Sequence, residues 1–139
     1  MFKKILVPTD GSEVGHQAAA TAAQMASESG GQVVGVYVID PFPYIGIGDA
    51  SAVGLQAYLS DAKRVAGDAL DSVANACRAK NVPFAGDTIE RNLVWEGILE
   101  TAKAEGCDLI VMGSHGRQGV KALILGSVAQ KVLTHAHIP

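Results

Sequence analysis

KKILVPTDGSEVGHQAAATAAQMASESGGQVVGVYVI, Lys3 to Ile39, is the stretch on which the architecture turns. It begins with a short, apolar, β-branched run, KKILVP (Lys3 to Pro8), and ends with another, QVVGVYVI (Gln32 to Ile39). Runs of that length and composition read as strands buried on both faces of a parallel sheet. Between them Ser12 is placed to cap a helix, and Glu13 suits its positive end. Ala18, Ala22, Met25 and Ala26 mark the inner face of that helix, and Gly30-Gly31 stops it.

The alternation continues to the end of the chain. Val53 to Lys80 places Ala62, Val65, Ala66, Ala69, Leu70, Val73 and Cys77 on one stripe of an amphipathic helix, with Gly67 as a weak point in its continuity. VPFAGDTIE (Val82 to Glu90) predicts a third strand, Val94 to Ala104 a helix, CDLIVMG (Cys107 to Gly113) a fourth strand and Ser127 to His135 a last helix. The pattern β-α-β-α-β-α-β-α implies an α/β fold: an open parallel sheet with helices on both faces, Rossmann-like, for which the strand order 3-2-1-4 is the expectation. With 139 residues, 48% of them hydrophobic, the chain is sized for one domain over residues 1–139 with a substantial core.

Charge and cysteines narrow the class. A net charge of −3 and 5% aromatic residues argue against a nucleic-acid binder, which needs a basic stripe and stacking side chains, and against an anionic membrane surface as partner. Cys77 and Cys107 form no C-x-x-C motif, the N-terminus does not read as a signal peptide, and no run reaches the length of a membrane span. The expectation is a soluble, reduced, cytoplasmic protein.

Two polar, glycine-containing stretches fall at carboxyl ends of strands: TDGSE after the first and GSHGRQG after the fourth. In the order 3-2-1-4 these strands are neighbours, so both loops meet where the strand order reverses, the usual ligand position in such sheets. Gly113 to Ser127, GSHGRQGVKALILGS, carries four glycines, and glycines let successive backbone amides face one anion at the start of a helix. Ser127 is placed to cap that helix, and Arg117 and Lys121 add local positive charge. Neither G-x-x-x-x-G-K-[ST] nor G-x-G-x-x-G is present. The spacing is G-x2-G-x9-G-[ST], on Gly113, Gly116, Gly126 and Ser127.

On these stretches the chain resembles the universal stress protein family, in its ATP-binding branch, from KKILVPTDGS through VYVID to IVMGSHGRQGVKALILGSVAQKVL. The resemblance implies that Pro8, Thr9 and Asp10 line the adenosine side, with Asp10 near the ribose or a metal-bound water, and that Val38 meets adenine through its main chain. It implies that Met112 lies beneath the nucleoside and that Gly113, Ser114, His115, Gly116, Arg117, Gln118 and Gly119 wrap the ribose and phosphates. Gly126, Ser127, Val128 and Ala129 would hold the phosphates at the helix start. The implied cofactor is ATP or another adenine nucleotide, with Mg²⁺, and the implied role is a nucleotide-dependent regulatory or stress-response module with slow or no hydrolysis, working as a homodimer. In that family a short apolar strand follows the last helix and commonly pairs across a dimer; this sequence stops at HAHIP, so a fifth strand is expected to be lacking and the edge of the fourth to be less covered.

Other candidate residues admit plainer readings. Asp10 suits a functional carboxylate or a cap beside Ser12, and His115 an acid-base group or a hydrogen-bonding spacer. His135 and His137 read as surface residues in preference to metal ligands, and Trp95 as packing in preference to a stacking platform. Asp40 to Gly54, rich in Pro and Gly with Phe42, Tyr44, Ile45 and Ile47, reads as a loop over a helix end, with a lid or partner surface as the other reading. The alternative function is a nucleotide-dependent enzyme performing ATP hydrolysis or adenylyl or phosphoryl transfer, which would need a second substrate pocket.

Overall fold

A computed structural model describes residues 2–41, 52–114 and 126–139. Strands β1 (Lys4–Pro8), β2 (Gln32–Ile39), β3 (Phe84–Glu90) and β4 (Leu109–Ile110) form a parallel sheet in the order β3-β2-β1-β4. Helices α1 (Glu13–Ser29), α2 (Ala52–Ala79), α3 (Val94–Glu105) and α4 (Ser127–His135) lie against it. The expected α/β class and strand order are both observed.

The side-chain alternation of the strands explains the layers. Ile5 and Val7 of β1 and Val33 of β2 pack with the alanines of α1 and with Val73 and Cys77 of α2. Leu6, Val34 and Val36 point the other way, into a second cluster with Ile98 and Ala102 of α3 and Val132 of α4. Ile5, Leu6, Val7, Val33, Val34 and Val36 are essentially inaccessible to solvent. Each such side chain contributes about 1.5–3 kcal/mol relative to exposure, so the central strands are the rigid floor on which the loops at their carboxyl ends stand.

Local chemistry sets the element ends. Ser12 caps α1 by accepting the Gly15 N–H, and Gly30, at φ 68°, ends it in the left-handed conformation. α2 runs unbroken through Gly67, an exposed position whose propensity cost the long apolar stripe overrides. The third strand begins at Phe84, two residues later than the sequence suggests, because the Val82 N–H closes α2 on the Cys77 carbonyl and Pro83 has no N–H to give. The fourth strand is shorter than its apolar run. The Cys107 N–H terminates α3 on the Ala102 carbonyl, and regular pairing is confined to Leu109 and Ile110, extended by a bond from the Val111 N–H to the Leu6 carbonyl.

Most of the expected loop from Asp40 to Gly54, residues 42–51, lies outside the described residues; 52–54 belong to α2, and the Tyr58 hydroxyl donates to the Asp40 carbonyl at 3.0 Å. The last residues return to the sheet. Ala136 is extended, Ile138 packs against the α3 and α4 cluster, and the Ile110 N–H donates to the Pro139 carbonyl at 2.9 Å. The edge of β4 is therefore partly covered by HAHIP itself, where the sequence suggests an open edge.

Candidate functional site

β1 pairs with β2 on one side and β4 on the other, so the reversal of strand order falls between β1 and β4. Immediately above it lies a cavity of about 350 Å³, within the usual range for small-molecule sites.

The loop after β1 forms one rim. Thr9 is buried, its N–H donating to the Val36 carbonyl at 3.0 Å and its hydroxyl oxygen accepting from the Gly11 N–H at 3.1 Å. Asp10 Oδ1 accepts the Ser12 N–H at 2.9 Å, which draws the loop into a tight turn just before α1. The carboxylate thus shapes the turn that leads into the cap, and Asp10 is among the residues that line the cavity.

The opposite rim comes from β4 and α4. Met112, Gly113 and Ser114 line the cavity, and Gly113 approaches α1 so closely that an added Cβ would lie 2.5 Å from Val14 Cγ1. Only glycine fits there without displacing the first turn of α1. The Gly126 N–H donates to the Ser114 carbonyl, which brings the two ends of the glycine-rich segment together. Gly126 then serves as N-cap of α4 with no side chain bonded over it, and Ser127, Val128 and Ala129 form a first turn whose amides have no intrahelical acceptor. These residues also line the cavity, so an anion there meets donor groups and the positive end of a helix.

Val36, Tyr37 and Val38 of β2 with Val94 and Ile98 of α3 supply a largely apolar wall. The cavity therefore has an apolar side and a side rich in backbone donors, a combination suited to a ligand that joins a flat apolar group to an anion. Among the described residues no cluster of three or more His, Cys, Asp or Glu could hold a metal ion.

Of the residues singled out in the sequence, Pro8, Thr9, Asp10, Val38, Met112, Gly113, Ser114, Gly126, Ser127, Val128 and Ala129 line this one cavity. His115, Gly116, Arg117, Gln118 and Gly119, and with them Lys121, lie outside the described residues. The reading from sequence missed Ser12 and Gly15 at the start of α1, Val36 and Tyr37, and the α3 pair Val94 and Ile98. The i,i+4 spacing of that pair shows a shared face, but not that the face meets a strand end.

The model of the universal stress protein family matches residues 1–139. The chain belongs to that family. A curated relative, universal stress protein MJ0531 of Methanocaldococcus jannaschii, is 35% identical over 140 residues, covering 100% of this chain and 80% of its own. Among solved structures, protein MJ0577, a universal stress protein of the same organism, superposes with a TM-score of 0.85 at 25% identity, covering 100% of this chain and 93% of that one. Two further universal stress proteins share the fold: one solved with cAMP (TM-score 0.72, 19% identity, 99% and 93% coverage) and one from Archaeoglobus fulgidus solved with dAMP (TM-score 0.67, 22% identity, 99% and 94% coverage).

Trp95 and the two cysteines of this universal stress protein are not among the lining residues. Trp95 of α3 is half-buried and stacks on His135 of α4, ring centroids 4.4 Å apart and planes 26° from parallel, so it is packed by another ring rather than presented to the cavity. Cys77 and Cys107 are buried free thiols, and burial pushes Cys107 up to about 11, far from the thiolate form.

Proposed function

We propose that this universal stress protein binds an adenine nucleotide, ATP with Mg²⁺, in the cavity between the carboxyl ends of β1 and β4, and acts as a nucleotide-dependent regulatory or stress-response module. The observation that carries this reading is the composition of the cavity: Val36, Val38, Val94 and Ile98 on one side, and the first turn of α4 beside Gly113 and Ser114 on the other. The cavity suits a base and ribose against the apolar wall with phosphates at the α4 N-terminus. The choice of adenine is supported by the family members solved with cAMP and dAMP. Mg²⁺ would arrive on the phosphate oxygens, with Asp10 holding one of its waters, which relieves the repulsion between that carboxylate and an anionic ligand.

Binding in preference to chemistry is favoured by the one carboxylate of the described lining, Asp10, whose Oδ1 already holds the Ser12 amide. A phosphoryl-transfer catalyst needs a placed group to orient its nucleophile, and turnover is expected below about 1 s⁻¹. We assign the protein to the reducing cytoplasm, in keeping with two buried free thiols, and to a homodimer.

Thermal melts with ATP, ADP or AMP and Mg²⁺ test the reading. A nucleotide at 100 times its Kd adds about 2.7 kcal/mol to the folded state, so an upward shift of several degrees is expected. An unchanged Tm with all three at millimolar concentration would remove the proposal.

A further inference from the structure

Gly97 is buried in the first half of α3, where alanine would favour the helix more. The space its missing side chain leaves is filled by Val38: a Cβ built on Gly97 would lie 3.0 Å from Val38 Cγ1, 3.1 Å from Val38 Cγ2 and 3.2 Å from Arg91 Cγ. Val38 is itself part of the cavity wall, and Val94 and Ile98, one turn before and one residue after Gly97, are its neighbours there. One helix position thus controls how three wall residues sit.

Little around the contact can give without altering the wall. β2 is paired with β1 as far as Val36 and with β3 through Ile39, Val38 being in register with Ile89, so the β3 side holds the backbone of Val38. A valine on a strand has few side-chain rotamers to turn to. The other route is for the start of α3 to lift, but there the Gly97 N–H bonds the Leu93 carbonyl and the Thr101 hydroxyl donates to the Gly97 carbonyl at 2.8 Å, so Val94 and Ile98 would move with it. A methyl group at position 97 therefore displaces Val38 toward the cavity, or Val94 and Ile98 with the helix, by a few tenths of an ångström. The donor side of the cavity, on Gly113, Ser114 and the first turn of α4, belongs to other elements.

We propose that Gly97 is a specificity-determining positioning residue: by leaving room for Val38 it sets the width of the apolar side of the cavity and admits a two-ring purine base. The inference rests on nucleotide binding at this cavity and names which part of the chain selects the base. A narrower apolar side costs the larger base more, so Gly97→Ala should weaken ATP severalfold and UTP, with its smaller single ring, by less. The double variant Gly97→Ala/Val38→Ala removes the opposing methyls and should regain part of the ATP affinity lost in the single variant, less what the two wall methyls of Val38 contribute.

Titration calorimetry of the parent, the single and the double variant with ATP and UTP, alongside their melts without ligand, decides it. A narrowed ATP-to-UTP ratio in Gly97→Ala that widens again in the double variant supports the proposal, and should the single variant fail to melt cooperatively, recovery of fold and ATP preference together in the double variant does the same. Unchanged affinities in a folded Gly97→Ala, an equal loss for ATP and UTP, or a double variant that folds and stays as weak as the single one would overturn it. A parent that binds neither nucleotide overturns the nucleotide reading, and this inference with it.

Discussion

The carboxylate of Asp108 accepts the Lys3 N–H at 2.9 Å and the Lys4 N–H at 3.0 Å, so one side chain at the start of β4 fastens the start of β1. Those two backbone bonds, the Lys3 bond first, hold its pKa below the ordinary value of 3.8. A depressed carboxylate pKa means stability that is complete above the unfolded value and is lost as pH falls through the folded one. Asp108→Asn is therefore expected to melt below the parent at pH 7, with the gap closing as the pH is lowered past about 4, where the unfolded carboxylate takes up its proton. Melts of both proteins between pH 2.5 and 7 check this, and a gap that stays constant across that range would show that the charge is not what fastens the strand. Asp108 illustrates a limit of reading residues in order: the carboxylate stands out neither by motif nor by pattern, because its partners are more than a hundred positions away.

At the level of elements, a helix is an average over its stripe. Gly67 in α2 is exposed, and a Cβ added there would meet no heavy atom within 4 Å. Nothing in the packing asks for glycine, and Gly67→Ala is expected to stabilise the protein by roughly 1 kcal/mol, raising Tm by about 3–5 °C at this chain length. A calorimetric melt with no rise would show that α2 is frayed at this point. The amphipathic stripe made α2 legible from sequence, and the buried β-branched runs did the same for β1 and β2. Boundaries were less legible where one residue serves two elements: Cys107 reads as strand by composition yet its N–H ends α3, and Val82 reads as strand yet closes α2. Gly113, Gly126 and Ser127, which line the cavity, stood out by their place after a strand at the expected reversal of strand order, the spacing alone being open to a plain turn and cap. Val94 and Ile98 did not, because periodicity gives the inner face of α3 but not how far along the sheet that face reaches.

For the molecule as a whole, an open sheet must cover its edges, and residues 136–139 lie along that of β4. The Pro139 carbonyl satisfies the Ile110 N–H, Ile138 packs against the second core cluster, and the tail flanks an apolar groove that includes Ile110, Val132 and Leu133. Leu133 is 68% exposed, so its contribution to folding is small, whereas Ile138 is half-buried and anchors the tail. Ile138→Asp places a carboxylate among apolar side chains and frees the tail from β4, at a cost of about 1–3 kcal/mol, while Leu133→Gln, at an exposed position of α4, should stay within about 0.5 kcal/mol of the parent. Freed of the tail, the Ile110 N–H and the groove become a template for another chain, so Ile138→Asp should also show concentration-dependent association in sedimentation beyond that of the parent. Equal melting temperatures for the parent and both variants, with equal sedimentation, would mean that the edge of β4 is protected by something other than its own tail.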